Sequence, residues 1–137
     1  MDRLFLDAKV LFSAAYRPDA GLRRLWGIAG VQLITSTYAE EEARRNLETP
    51  VQHATLDELL RHVKILSFQS GFSLLPTGLE LPDNDRPILE AAIFSQATHL
   101  LSGDMKAFGA YYGRALAGVL ILPPAAYLRF LLDKPNV

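Results

Sequence analysis

Apolar residues in this chain come in two rhythms that alternate. Short unbroken runs, Arg3-Leu4-Phe5-Leu6, Val31 to Ile34, His99-Leu100-Leu101-Ser102 and Val119 to Leu122, read as buried strands. Between them apolar residues recur at three- and four-residue steps, the spacing of one buried helix face. Val10-Leu11-Phe12 opens a brief helical segment that reaches Ala15, and Pro18 to Gly21 is a loop. Leu22, Leu25, Trp26 and Ala29 share a face of a second helix, Leu22 to Ala29, which Gly30 ends. Ser36 and Thr37 cap the next helix, and Thr37 and Glu40 have capping-box spacing. Pro50 breaks the chain. Leu56, Leu59, Leu60 and Val63 mark another helix, and Ile65-Leu66 fits either its continuation or a strand. Gly71 to Gly78 is irregular, with Phe72-Ser73-Leu74-Leu75 a candidate edge strand. Ile88, Leu89, Ala92, Ile93 and Ala97 form the apolar face of a helix leading into the His99 strand. Met105 to Tyr112 is a short helix ended by Gly113, and Pro123-Pro124 starts a last one, Ala125 to Leu132. Strands alternating with helices predict an α/β fold with a mostly parallel sheet covered on both faces. With no repeat and no linker, residues 1–137 read as a single domain.

Composition narrows the function classes. Half of the 137 residues are hydrophobic and 21% are charged, a globular balance with room for a substantial core. The formal net charge of −1 gives no global pull toward nucleic acid, so such binding would need a local basic patch. The absence of cysteine excludes disulfides, thiolate catalysis and Cys-based zinc sites, and fits a reducing cytoplasm. No signal peptide is expected, since only a brief apolar run follows Asp2 and Arg3. A long uncharged run, Ala115 to Leu128, is interrupted by Pro123-Pro124 and is too short to span a bilayer. His53, His62 and His99 lie on different elements without zinc-ligand spacing, and no G-x-S-x-G elbow, Walker A or dinucleotide glycine motif is present.

Acidic residues carry the chemistry instead. Asp7 closes the first strand, Asp85 starts a helix, and Asp104 lies just past the end of the strand that follows it. Ligands of α/β sheets bind beyond the carboxyl ends of the strands. Carboxylates delivered there suggest a metal or a phosphoryl group. Each also has a plainer role, Asp85 as a helix N-cap and Asp104 as a turn residue. Within Glu40-Glu41-Glu42 the three acids differ. Glu40 and Glu41 have Arg44 and Arg45 four residues on, whereas Glu42 lies beside the stripe Ala39, Ala43 and Leu47 and leans toward the interior. A charge so placed needs a cation or strong hydrogen bonds.

LDAKVLFSAA, STYAEEEARRNL and PDNDRPILEAAIFSQATHLLSGD, in that order and spacing, resemble the motifs of the PIN domain, the fold of VapC-type toxin ribonucleases. The resemblance covers nearly the whole chain. It implies a single-domain α/β/α sandwich with a mostly parallel central sheet and an acidic pocket. The pocket acids would be Asp7, Glu42, Asp85 and Asp104, with Asp83 as an extra member. Asp7 and Asp104 would be the principal metal ligands, Asp85 would complete the shell or act through water, and Glu42 would hold a second metal or orient the attacking water. The cofactor would be Mg²⁺ or Mn²⁺, and the activity the cleavage of single-stranded RNA to 5′-phosphate and 3′-hydroxyl ends. Two metals roughly 3.5–4 Å apart activate a water and stabilise the leaving oxygen. The resemblance also implies a small antitoxin as partner, a homodimer, a cytoplasmic location and no membrane. Phe12, Trp26, Tyr127, Phe130 and Leu131 are candidates for an apolar interface.

One position departs from the family. Asn, Ser or Thr usually stands two residues after the first Asp, and here it is Lys9. Its ammonium would contact a scissile phosphate, compete with the metal, or point into solvent. Ser102 is a candidate support for the metal shell or a plain strand-end hydroxyl. For RNA, the basic candidates are Arg17, Arg23, Arg24, Arg86, Lys106 and Arg114. Arg86 and Lys106 flank the acids and, with Lys9, are the best placed to meet phosphates. Tyr111 and Tyr112 would either stack on bases or pack. The rival reading is a catalytically weakened PIN-like module that binds RNA or protein, and Lys9 is the residue that favours it.

Overall fold

A computed structural model describes residues 1–17, 21–67, 71 and 74–133 of the chain, with side chains to residue 131. The chain alternates as its apolar rhythm predicts: β1 (Arg3–Leu6), α1 (Ala8–Tyr16), β2 (Gln32–Ser36), α2 (Thr37–Asn46), α3 (Pro50–Leu60), β3 (Lys64–Leu66), α4 (Arg86–Phe94), β4 (His99–Leu101), α5 (Met105–Phe108), β5 (Ala115–Leu116), β6 (Val119–Leu122) and α6 (Pro124–Asp133). The strands form one sheet in the order β3-β2-β1-β4-β6-β5, parallel except for the β5–β6 hairpin at one edge. β1 lies between β2 and β4, with Phe5 opposite both Ile34 and Leu100. Successive strand residues point to opposite faces. Leu4, Phe5 and Leu6 are all fully buried, so both faces of the sheet are covered, as in an α/β/α sandwich.

Several local expectations resolve differently. The Leu22–Ala29 helix is a 3-10 helix, Gly21–Gly27. Glycines at 21, 27 and 30 bracket a segment too short to nucleate an α-helix by itself. The tighter coil is held from outside: Arg23 Nε donates to the Ala14 carbonyl and Trp26 Nε1 to the Leu59 carbonyl. Ser36, not Thr37, caps α2, accepting from the Ala39 N–H, so the Thr37–Glu40 capping box does not form. Glu40 pairs with Arg44 instead, and Arg44 also reaches Asp57 at 2.8 Å. Among the described residues no Glu41–Arg45 pair forms. Pro50 begins α3 rather than only breaking the chain, because Thr49 and Gln52 build a reciprocal capping box and proline suits the first helical turn. Ile65-Leu66 belongs to a strand. Leu74 and Leu75 lie in a turn and bend, not a strand. Phe72, Ser73 and the loop residues Pro18 to Ala20 lie outside the described residues. The Met105–Tyr112 helix divides into α5 and a 3-10 turn, Gly109–Tyr111.

Candidate active site

The sheet order reverses at β1. From there the chain moves to β2 on one side and later returns to β4 on the other. Parallel strands whose connections diverge leave a crevice beyond their carboxyl ends, where α/β proteins bind ligands. Asp7 directly follows β1, and Ser102-Gly103-Asp104 directly follows β4. α2 brings Glu42 and the start of α4 brings Asp85 to the same crevice. All four carboxylates line one cavity of about 400 Å³, together with Lys9, Asn46 and Asn84.

Asp7 is the most constrained of the four. It is 3% exposed. Its Oδ1 accepts from the Ala8 N–H at 2.6 Å, capping α1, and its Oδ2 accepts from the Ser102 hydroxyl at 2.6 Å. Burial pushes its carboxyl up to about 6 against the lowering effect of these hydrogen bonds, and the charges of Asp85 and Asp104 push the same way. Ser102, fully buried, also accepts from the Asp104 N–H at 3.0 Å. One hydroxyl therefore fixes the ends of β1 and β4 against each other.

Asp85 occupies the N-cap position of α4 but makes no capping hydrogen bond. Its backbone there is already helical, at φ −99° and ψ −13°, unlike the extended backbone of a cap whose side chain folds back. The plainer reading of Asp85 as a cap therefore fails. Only 8% exposed, its carboxylate has no hydrogen-bond partner among the described residues. Burial and then the charges of Asp104 and Glu42 raise it to about 6, while Lys9 pulls it down. Asp104 does cap α5, accepting from the Ala107 N–H at 3.2 Å, and its Oδ1 lies 3.6 Å from Lys9 Nζ. Glu42 lies beside Tyr38, whose hydroxyl burial and the Glu42 carboxylate raise to about 12. The acids thus act on one another in a chain from Asp7 through Asp104 and Asp85 to Glu42.

The donor set is all oxygen, which suits a hard divalent cation. Among the described residues no group of three or more His, Asp or Glu side chains stands close enough together to hold a metal ion. Magnesium does not require such a cage, since it keeps several waters and binds through one or two carboxylates. The free Asp85 carboxylate and the raised acids are what a cation would satisfy. The residues fit such an ion in kind.

Other expected site residues fall elsewhere. The Asp83 side chain is 99% exposed and pairs with Arg86 at 3.5 Å, outside the cavity. Arg86 does not face the cavity as a phosphate contact: its guanidinium donates to the Leu81 and Leu79 carbonyls at 3.1 Å each and ties down the turn before α4. Lys106 is exposed on α5 and does not line the cavity. Arg114 lies over the Tyr111 ring at 5.8 Å. Tyr111 bonds the Glu80 backbone, and Tyr112 donates to the Ser102 carbonyl at 2.8 Å, so both are structural. Of the interface candidates, Tyr127 is fully buried, while Phe130 is 59% exposed.

Three neighbours of the acids had escaped the sequence reading. Asn46 stands one turn beyond Glu42, and Asn84 between Asp83 and Asp85; both line the cavity. Tyr38, one turn before Glu42, donates to the Asn84 carbonyl at 2.7 Å and so ties α2 to the turn that presents Asp85. Their spacing from the acids was the available signal.

The structure is similar to a chain in the crystal structure of VapBC2 from Rickettsia felis bound to a DNA fragment from their promoter. The TM-score is 0.66, and the match covers 88% of this chain and 98% of that one. The fold is PIN-like, a mostly parallel α/β/α sandwich. Sequence identity in the match is 19%, so what the two share is the architecture. No protein-family model matches the chain, and no curated protein matches it. Within the PIN-like fold found here, Asp7, Glu42, Asp85 and Asp104 stand around one crevice. Among the described residues no helix is long and apolar enough to cross a membrane.

Proposed function

We propose that this chain is a divalent-metal-dependent endoribonuclease that cuts single-stranded RNA, acting as the toxin of a toxin–antitoxin pair. The observation that carries the reading is the carboxylate of Asp85, a largely buried residue whose acid opens on the cavity without a hydrogen-bond partner among the described residues, beside Asp7, Glu42 and Asp104 at the switch point of the sheet. One or two of the carboxylates of Asp7, Asp85 and Asp104, together with bound waters, would hold Mg²⁺ or Mn²⁺, with Glu42 beside them. The ion would supply a water activated at neutral pH and charge stabilisation for the phosphoryl oxygens. The chain's own groups prepare that site. Ser102 and the Ala8 N–H fix the Asp7 carboxylate so that each oxygen keeps a lone pair for a cation. The Tyr38–Asn84 bond sets the height of Asp85 over the crevice. Lys9, at the cavity wall, is the proposed phosphate contact, and Lys106 would meet the RNA only outside the cavity. The VapBC2 likeness supports a small protein partner.

Labelled single-stranded RNA is incubated with the protein and Mn²⁺ or EDTA, beside Asp7→Asn. Cleavage that needs Mn²⁺, leaves 5′-phosphate ends and is lost in the variant is the expected result. The Lys9–Asp104 contact at 3.6 Å favours a second reading, a binding module with weakened catalysis. RNA bound but uncut in Mn²⁺ would select it and overturn the nuclease.

A further inference from the structure

Lys9 sits where the local field of its own helix is unfavourable to it. It is the second residue of α1, and the N-terminal end of a helix carries partial positive charge that repels cations. Its ammonium is nonetheless drawn to the cavity and stands 3.6 Å from Asp104 Oδ1. That is longer than a charge-assisted hydrogen bond of about 2.7–2.9 Å. The contact is therefore a charge held near a charge, with no geometry that locks it. The side chain is 61% exposed, so packing does not dictate its direction. What faces it is the carboxylate group: Asp104 in contact, and Asp85, buried and without a hydrogen-bond partner, within its electrostatic reach.

We propose that the Lys9 ammonium is a resident cation of this pocket, filling the place of a second metal, so that each chain takes one divalent ion rather than two. The inference rests on the metal-dependent reading given above. Formal charge agrees with it. Four carboxylates and one ammonium give −4 + 1 = −3, which one divalent ion brings to −1 and a second would carry to +1. Without Lys9 the pocket holds −4, which two divalent ions neutralise. Like charges brought together unscreened in a partly buried site repel. The ammonium therefore opposes the second ion while leaving the Asp7 side of the cavity open to the first.

The test counts bound Mn²⁺ on the intact chain by electron paramagnetic resonance of the free ion, for wild type, Lys9→Asn and Lys9→Arg, each checked for folding by circular dichroism. Expected are one Mn²⁺ per chain for wild type and Lys9→Arg, and two for Lys9→Asn. Equal counts of one or of two for wild type and Lys9→Asn overturn the proposal and leave the nuclease reading standing. No Mn²⁺ on wild type, whatever Lys9→Asn binds, overturns both. A count of two for Lys9→Arg with one for wild type also overturns it, because charge would then not be the cause.

Discussion

β1 begins beside one acid and ends on another, and the two are treated in opposite ways. At the amino end, Asp2 accepts the Tyr127 hydroxyl at 2.6 Å. Around it Arg3 donates to Gln32 at 2.6 Å and to the Ser95 carbonyl at 2.7 Å, and Thr98 exchanges hydrogen bonds with the Arg3 backbone. Both terminal nitrogens of Arg3 meet acceptors there, and only its buried Nε is left without a hydrogen-bond partner. At the carboxyl end, Asp7 is also held by two hydrogen bonds, but its next neighbours are carboxylates. Charges at the amino end are answered by the chain itself. At the carboxyl end one ammonium, Lys9, stands against four carboxylates, and Asp85 has no hydrogen-bond partner among the described residues. Polarity alone therefore does not mark a site; unanswered charge does.

The two ends should respond differently to substitution. The largest difference concerns cleavage: Asp7→Asn loses roughly 10²-fold or more in a metal-dependent RNA assay, since a metal ion stabilises such transition states by several kcal/mol. The same assay on Tyr127→Phe should match wild type. A comparable loss in Tyr127→Phe would break the contrast. Ser102→Ala comes next. It keeps all four acids but frees Asp7 Oδ2, and roughly a 10–100-fold loss in Mn²⁺ affinity or rate is expected, read by titration and kinetics. In denaturant melts Tyr127→Phe is no longer silent. Tyr127→Phe takes a donor from a carboxylate and should cost about 1.5 kcal/mol.

The smallest effect is a gain. Asp7 and Asp85 each hold their proton more tightly folded, at about 6, than the ordinary 3.8 of an unfolded chain. Their contribution to stability is full below about 3.8 and is lost as pH rises through about 6. Metal-free Asp85→Asn should therefore gain on wild type from pH 4 to 6. Near pH 7.5 it should be about 1–2 kcal/mol more stable by urea unfolding. A variant less stable than wild type at that pH would show that Asp85 is not under strain.

The strands β1, β2, β4 and β6 and the positions of the four acids were legible because each follows from local pattern. Leu4-Phe5-Leu6 is too apolar to be anything but buried, and the chain must turn at Asp7. Glu42 stood out by its offset from the Ala39–Ala43 stripe. What was not legible depends on distant backbone. The role of Arg86 is set by carbonyls of Leu79 and Leu81, whose path no periodicity encodes. Asp83 and Asp85 are two residues apart on one turn, yet one is in solvent and the other in the crevice, because the turn swings the chain inward before α4 begins. The β5–β6 hairpin was missed for a similar reason. Its tight turn, with Ala117 at φ 50° and Gly118 at φ 85°, uses Ala where Asn would have signalled it.

The bond from Ser102 to Asp7 joins residues 95 apart in sequence. Its formation belongs to the late history of the chain. At about 5–20 residues per second on a ribosome, roughly 5–20 s separate the synthesis of Asp7 from that of Asp104. During that interval β1 can find β2, which follows it closely, but not β4. Closing so long a loop is also the slower kind of folding event. A growing chain accordingly has a first strand and a first acid long before it has a crevice. Whatever this crevice acts on is out of its reach until most of the sequence has been made.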